Sequence, residues 1–249
     1  MERFLKNLLP IFLVYIAFFL LFPQVDIYFS KLFMDESGHF VPKDAPLTSA
    51  IYYSVEYLGI TILIVFITFF TYESIKKKPL IKELNKKAIL FALAFIVVAN
   101  GVIINSTLKE LSGRARPSKV IELGGEQQFS PPLIKAYECS NHNCSFSSGH
   151  SGFAFSMLVF AFIFRKYADK IFFASIIYGL AVSLTRIAQG GHFLSDTLFS
   201  FFVAAFSAQL FYYLFYPDRS PSYYRKNGVF FALFYLGLTV YYFFGALLG

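Results

Sequence analysis

The sequence predicts an all-α, polytopic membrane protein, and three observations lead to this prediction. Of the 249 residues, 57% are hydrophobic and only 15% are charged. The mean hydropathy is +0.58, which is far outside the usual range of soluble domains. Seven long apolar runs also leave too little polar sequence for a second domain. We therefore expect a single integral membrane domain over residues 1–249.

The seven apolar runs define the predicted helices. A bilayer core needs about 20 apolar residues per helix, so several runs fit outright and three need flanking residues. The runs cover residues 8–22, 50–72, 88–108, 151–164, 171–185, 197–216 and 229–249. The first run follows basic residues as a signal peptide would, but no small-residue cleavage site follows it, so we expect a retained helix. Six runs form the expected core bundle, and residues 229–249 add a seventh helix.

The distribution of lysine and arginine predicts the orientation. Seven spans place alternate loops on opposite sides, and the side richer in these residues is the cytoplasmic one. One set of loops holds 14 of the 22 basic residues: Arg3, Lys6, Lys76, Lys77, Lys78, Lys82, Lys86, Lys87, Arg165, Lys166, Lys170, Arg219, Arg225 and Lys226. The other set holds Lys31, Lys43, Lys109, Arg114, Arg116, Lys119, Lys135 and Arg186. The N-terminus is therefore expected inside, and the long loop over residues 109–149 outside.

Charge and cysteine content exclude other classes of protein. The net charge of +7 does not indicate binding to nucleic acid, because most of the basic residues follow the membrane topology. Only two cysteines are present, which excludes a disulfide-rich scaffold, and no Cys/His spacing resembles a zinc site.

Three polar clusters lie at the predicted outer ends of helices. Residues 109–117 leave the third helix, residues 147–150 enter the fourth, and residues 185–196 join the fifth to the sixth. Ionisable residues near or within membrane spans are costly and usually mark a site or a pathway. Because the three clusters share one predicted face of the membrane, we expect them to converge.

The cations in these clusters suit an anionic ligand. Lys109, Arg116 and Arg186 carry positive charge, and guanidinium groups match the paired oxygens of phosphate. Ser148 and Gly149 precede the fourth helix, where free backbone N–H groups also favour an anion. We therefore expect these five residues to favour an anion.

The histidines supply the reactive groups. His192 and Asp196 are four residues apart, so on a helix the carboxylate can hold one imidazole N–H and leave the other nitrogen as a nucleophile. His150 lies in a different segment and is free to protonate a leaving oxygen as the general acid. Together these groups predict a phosphoryl-transfer site that uses no metal.

Each cluster has a simpler interpretation when it is considered alone. A His–Asp pair four residues apart is often only a local hydrogen bond, and a lysine at the end of a span often snorkels. Ser148 with Gly149 also suits a helix cap. Arg114 is expected to be a loop cation near the phosphate with no fixed role. The joint pattern favours a site, because the count of basic residues places all three clusters on the same side.

On these residues, the sequence resembles the type 2 phosphatidic acid phosphatase superfamily of membrane lipid phosphatases, which shares its site with bacterial acid phosphatases and vanadium haloperoxidases. Its three motifs are matched within about residues 88–216 by Lys109 with Arg116-Pro117, by Ser148-Gly149-His150, and by Arg186 with His192 and Asp196. The resemblance implies that His192 forms a phosphohistidine, Asp196 orients it and His150 protonates the leaving group. It implies no cofactor. The implied ligands of the phosphate oxygens are Lys109, Arg116, Ser148, Gly149 and Arg186.

Two positions depart from the pattern of the family. Ser147 stands where proline is usual, and Thr185 stands where serine is usual. The missing proline bears on the rigidity of the loop more than on the chemistry. Thr185 keeps a hydroxyl group, so a contact from it to phosphate stays open.

Within the superfamily, the outer loop resembles that of bacterial lipid A phosphatases at residues 113–117, 122–125 and 143–146. The resemblance implies a lipid A phosphatase of the bacterial inner membrane, with a cytoplasmic N-terminus and a periplasmic site. Its partner would be a lipid phosphate in the outer leaflet, with no nucleic acid and no obligate protein partner.

Other functions stay open as alternatives. Relatives with the same motifs act on undecaprenyl pyrophosphate, phosphatidylglycerol phosphate or phosphatidic acid. A phosphotransferase with an alcohol acceptor is less favoured. A transporter is least favoured, because its polar groups would lie near the membrane midplane in two related halves.

Two further features concern single residues. Cys139 and Cys144 flank four residues shortly before His150, and in an oxidising compartment we expect a disulfide rather than two thiols. Glu56 lies six residues inside the outer end of the second helix. The sequence leaves three alternatives open for Glu56: its side chain faces the site, pairs with a basic residue or snorkels to the interface.

Overall fold

The structure is a computed structural model that describes residues 1–42, 44–139 and 144–248, with side chains described as far as residue 245. The predictions that involve Lys43 and Asn143 lie outside the described residues.

Helices form nearly all of the regular structure, which confirms the predicted fold class. In chain order they are α1 Glu2–Lys6, α2 Leu8–Leu21, α3 Gln24–Lys31, α4 Pro46–Lys76, α5 Lys86–Ile96, α6 Lys109–Leu111, α7 Gly149–Ser156, α8 Val159–Ile163, α9 Ala168–Ala188, α10 Leu194–Phe215 and α11 Ser222–Leu248. A π-helical segment, Val97–Leu108, joins α5 to α6 as one span. No strand occurs in the described ranges; two isolated bridges are the nearest approach to one.

Each predicted apolar run contains a helix. Within the ranges that the structure describes, five helices are long and apolar enough to cross a membrane, and α2 with α3 forms a sixth candidate that is bent by 85°. The fourth run, now α7 and α8, falls among the shorter apolar helices. The chain is therefore a multi-pass membrane protein. The seventh helix begins at Ser222, several residues before the predicted start.

The helix α10 lies at the centre of the bundle, whereas α4 lies at its periphery. In the most apolar part of each span, 67% of α10 is buried but only 6% of α4. Phe12 of α2 connects the central helix to its neighbours, since its ring centroid lies 5.0 Å from that of Phe202, 5.3 Å from that of Phe206 and 5.2 Å from that of Phe234. Aromatic pairs at these separations are favourable beyond the area that they bury.

The chain turns sharply after α2. Proline at position 23 lacks a backbone N–H and restricts the preceding residue, so α2 ends and α3 begins on a new axis. This turn carries α3 across one end of the bundle. Asp26 of α3 thereby becomes fully buried, and its Oδ1 accepts a hydrogen bond from the backbone N–H of Ser195 at 2.9 Å.

We predict that Gly179→Ala destabilises the protein. A Cβ atom at this position of α9 would lie 2.1 Å from Cδ1 of Phe155, a ring that is itself fully packed. Overpacking of this kind typically costs about 1–3 kcal/mol, so the thermal midpoint in detergent should fall. Gly237→Ala is the matched control, because a Cβ there meets nothing within 4 Å. Equal midpoints for the two variants would contradict the predicted contact.

Candidate active site

The three sequence clusters meet in one cavity of about 290 Å³. Five of the predicted site residues line it: Lys109, Arg116, His150, Arg186 and His192. Tyr52, Tyr53 and Gln189 complete the lining. The predicted convergence is therefore seen in the structure for these five residues. The lining does not include the remaining three, Ser148, Gly149 and Asp196.

Arg186 is arranged to receive an anion. Its side chain is almost fully buried, its Nη1 donates to Oε1 of Gln189, and its guanidinium lies 5.0 Å from the ring centroid of Tyr52. The Nε–H is buried and has no hydrogen-bond partner among the described residues. Since buried donors are nearly always satisfied, an oxyanion in the cavity is the natural acceptor.

Arg116 and Lys109 add positive charge to the same cavity. Burial lowers the pKa of Arg116, although an arginine keeps its charge at neutral pH. A cavity lined by three basic side chains suits a ligand with several anionic oxygens, and the guanidinium groups favour phosphate.

The imidazole of His192 is held by a backbone carbonyl. Its Nδ1 lies 2.7 Å from the carbonyl oxygen of Ser145 but 3.9 Å from Oδ2 of Asp196. The Nδ1–H therefore donates to Ser145, and Nε2 is left as the unprotonated nitrogen. Asp196 acts one step away: its Oδ2 accepts from the Ser145 hydroxyl and, at 2.8 Å, from the backbone N–H of Phe193. The direct His192–Asp196 hydrogen bond expected from the spacing is thus replaced by a contact through Ser145.

The electrostatic surroundings keep His192 neutral. Burial, followed by the positive charges of Arg186, Arg116 and Lys109, holds its pKa well below the usual value of a histidine. A lowered pKa means that the ring is unprotonated at neutral pH and in mild acid, which is the form that a nucleophile requires.

His150 and its neighbours form the start of α7. The His150 ring stacks on Tyr52, with centroids 4.2 Å apart and planes 30° apart. The Ser148 hydroxyl caps the helix by accepting from the N–H of Ser151 at 3.4 Å. At Gly149, a Cβ atom would lie 2.6 Å from Oδ1 of Asn105, so the close approach requires glycine. The contact of these two residues with phosphate stays a prediction that rests on their backbone N–H groups.

Arg114 is the main correction to the sequence analysis. Instead of a loop cation without a fixed role, it is a fully buried residue that joins distant parts of the chain. Its Nη2 donates to Oδ2 of Asp26 at 2.8 Å, and its Nη1 donates to Oδ1 of Asp196 and, at 2.9 Å, to Oγ of Ser195. Its Nε donates to the carbonyl of Ser130 at 2.9 Å. Burial alone would lower the pKa of Arg114, but the two carboxylates outweigh it and raise the pKa.

Sequence reasoning missed four contributors to this region. Asp26 follows a proline-terminated apolar run, and an acidic residue in such a place was a signal that could have been used. Tyr52 lies in an apolar run outside the three polar clusters, so its position in the sequence does not link it to the site. Ser145 and Gln189 carry no signal in the sequence, because their roles depend on contacts with distant residues.

The structure contains a disulfide between Cys139 and Cys144, with Cα atoms 5.5 Å apart. Cys144 directly precedes Ser145. On either side of the disulfide, the N–H of Cys139 donates to the carbonyl of Gly113 at 3.0 Å, and the N–H of Ser145 donates to that of Arg114 at 2.8 Å. The backbone of Gly113 and Arg114 is therefore hydrogen-bonded to both sides of the disulfide, beside the carbonyl that holds His192.

A cavity lined by three basic side chains, in a protein with several membrane spans, has the charge and the setting that a lipid carrying a phosphate group requires. Comparison with known proteins agrees: residues 87–220 match the model of the PAP2 superfamily, and the chain belongs to that superfamily.

Curated relatives narrow the class. The lipid A 4'-phosphatase of Francisella tularensis subsp. novicida (strain U112) is 30% identical over 205 residues, which cover 81% of this chain and 91% of the relative. The lipid A 4'-phosphatase of Rhizobium leguminosarum is 27% identical over 201 residues, or 74% of this chain and 84% of the relative. That of Rhizobium etli is 27% identical over 199 residues, or 73% and 75%. No solved structure matches the chain significantly. The family and these relatives support a lipid phosphatase.

We predict that Arg114→Gln strongly destabilises the protein. The substitution leaves Asp26 and Asp196 buried without their cation, and breaking a buried pair in this way costs about 3–5 kcal/mol. The thermal midpoint in detergent measures the effect, and Arg219→Gln, at an exposed position, should leave the midpoint nearly unchanged. If Arg114→Gln were as stable as the wild type, the role of Arg114 would be refuted.

Proposed function

We propose that the protein removes a phosphate group from lipid A through a phosphohistidine intermediate on His192. The observation that carries this proposal is the imidazole of His192, which is buried, neutral and held at Nδ1 by the carbonyl of Ser145. It lines the same cavity as Arg186, whose buried Nε–H has no hydrogen-bond partner among the described residues. The curated relatives support lipid A as the substrate, since each of the three is named a lipid A 4'-phosphatase.

In the first step, Nε2 of His192 attacks phosphorus. A P–N bond forms as the bond from phosphorus to the sugar oxygen breaks, and protonated His150 gives its proton to that oxygen. Burial and the nearby cations lower the pKa of His150 to about 4, so the negative charge of the bound phosphate must raise this pKa again for His150 to carry the proton. In the second step, water attacks phosphorus, His150 takes the proton from the water, and the P–N bond breaks. Inorganic phosphate leaves, and both histidines return to their starting states.

The cations stabilise the charge that spreads over the equatorial oxygens of the transferring group. Lys109, Arg116 and Arg186 line the cavity and are charged before substrate arrives, so they need little reorganisation during the reaction. The carbonyl of Ser145 accepts the Nδ1–H as positive charge develops on His192. Asp196, through the Ser145 hydroxyl, positions that carbonyl.

Metal independence is part of the proposal. The three basic side chains supply the charge neutralisation that divalent ions give to other phosphoryl-transfer enzymes. Activity should therefore survive a chelator, and a chelator-sensitive activity that a divalent metal restores would count against this part of the proposal.

We predict that His192→Ala abolishes phosphate release from lipid A, with a loss of about a thousandfold or more because the nucleophile is gone.

The activity of His150→Ala on lipid A should fall about 10²–10⁴-fold. Its activity on an aryl phosphate should fall much less, because that leaving group needs no proton. Release of inorganic phosphate is measured on lipid A, undecaprenyl pyrophosphate and phosphatidylglycerol phosphate. Full activity of His192→Ala would refute the nucleophile. If the wild type acts only on the other two lipids, lipid A is not the substrate. If it transfers phosphate to an alcohol, the protein is a phosphotransferase and not a hydrolase.

The orientation is also proposed: a cytoplasmic N-terminus and a site on the periplasmic side of the bacterial inner membrane. The excess of Lys and Arg in alternate loops supports it. Reporter fusions at Lys82 and at Gly125 should lie on opposite sides, with Gly125 periplasmic. The same side for both, or the reverse assignment, would contradict the proposed topology.

A further inference from the structure

A second cavity of about 630 Å³ adjoins the candidate active site, and both are lined by Lys109 and His150. Its walls come from α4, from the π-helical segment Val97–Leu108 and from the start of α7. We call it the side groove. Its volume lies within the range of about 300–1,000 Å³ that small-molecule sites usually have.

The helix α4 presents one continuous face to both cavities. Tyr52, which stacks on His150, lines the active site, and Glu56 lies one turn later on the same face and lines the side groove. Further along this face, Gly59 allows close packing of the two helices, because a Cβ atom there would lie 3.3 Å from Cζ of Phe153 in α7. Glu56 thus lines a groove that shares Lys109 and His150 with the candidate active site.

Glu56 is an exposed carboxyl group within a membrane span. It has no hydrogen bond or ion pair with the residues that the structure describes. Pairing with a basic residue, one of the alternatives for Glu56, is therefore not seen. Because an ionisable group in a span is costly and usually serves a site, a contact with a ligand is favoured.

The side groove offers further acceptors. Asn105 uses its Nδ2 to donate to the carbonyl of Asn100 at 2.7 Å, which leaves its Oδ1 as an acceptor. Asn100, also in the lining, has a buried Oδ1 without a hydrogen-bond partner among the described residues. Lys109 and His150 line the end that the groove shares with the active site, and the rest of the lining is apolar, with Ile60, Leu63 and Phe153. The groove therefore suits a ligand with several hydrogen-bond donors joined to an apolar chain.

We propose that the side groove holds the sugar ring that carries the scissile phosphate, and that Glu56 accepts hydrogen bonds from its hydroxyl or amide N–H groups. This inference rests on the proposed function. The apolar end of the groove contacts the first carbons of an acyl chain. A carboxylate beside the phosphate cavity favours donors and repels additional phosphate oxygens, so Glu56 selects a phosphorylated sugar lipid over a pyrophosphate or a glycerol phosphate.

The test measures kcat/KM for phosphate release from lipid A and from phosphatidylglycerol phosphate, in mixed micelles, with Glu56→Ala and Glu56→Gln. We expect the lipid A to phosphatidylglycerol phosphate ratio to fall about 10- to 100-fold in Glu56→Ala, since a charge-assisted hydrogen bond is lost. Glu56→Gln keeps an acceptor but not the charge, so its ratio should fall less. The control is Tyr57→Phe, an exposed neighbour on α4 that lines neither cavity.

The outcomes separate this inference from the function on which it rests. A general folding defect lowers both rates together and leaves the ratio unchanged, and an unchanged ratio overturns the role of Glu56. If the wild type acts on lipid A and Glu56→Ala is equally selective, only this inference fails. If the wild type releases no phosphate from lipid A, the proposed substrate and the sugar subsite fail together.

Discussion

The buried ion pairs of Arg114 with Asp26 and Asp196 are the interaction on which the rest of the site depends. One guanidinium fastens α3 and α10 to the loop that follows α6. Removing these charges from water is costly, and the arrangement is tolerable only because nearly every donor and acceptor is satisfied. Ser195 helps, since its backbone N–H donates to Asp26 and its carbonyl accepts from the Tyr15 hydroxyl of α2 at 2.9 Å.

A chain of hydrogen bonds connects Arg114 to the imidazole of His192. Arg114 holds one oxygen of Asp196, the other oxygen holds the Ser145 hydroxyl, and the Ser145 carbonyl holds His192. The cations that line the cavity lie apart from this cluster. Arg114 is neutralised by two buried carboxylates, whereas Arg186 keeps a buried Nε–H that has no hydrogen-bond partner in the described part of the chain.

The sequence alone was sufficient to predict the features that depend on local pattern, namely the helices and several residues of the candidate site. Apolar runs predicted the helices, and residues such as Lys109, Arg186 and His192 were identified because their chemistry and spacing suggest phosphate. It was not sufficient for Asp26, whose partner Arg114 lies 88 residues away, or for the 85° turn that brings them together. Nor could it show which of two nearby arginines faces inward: Arg114 is buried in ion pairs, whereas Arg116 lines the cavity. Such assignments depend on tertiary contacts rather than on local preference.

The tether on Nδ1 of His192 has a consequence for how the protein tolerates genetic change. The acceptor is a main-chain carbonyl, and every residue type would supply that atom at position 145. No single codon change can delete the acceptor itself, whereas a side-chain carboxylate in the same place could be lost by one. Mutation can reach it only indirectly, by moving the backbone at Ser145. The tautomer of His192, the proposed nucleophile, is therefore protected against substitution at position 145 as long as the backbone keeps its place.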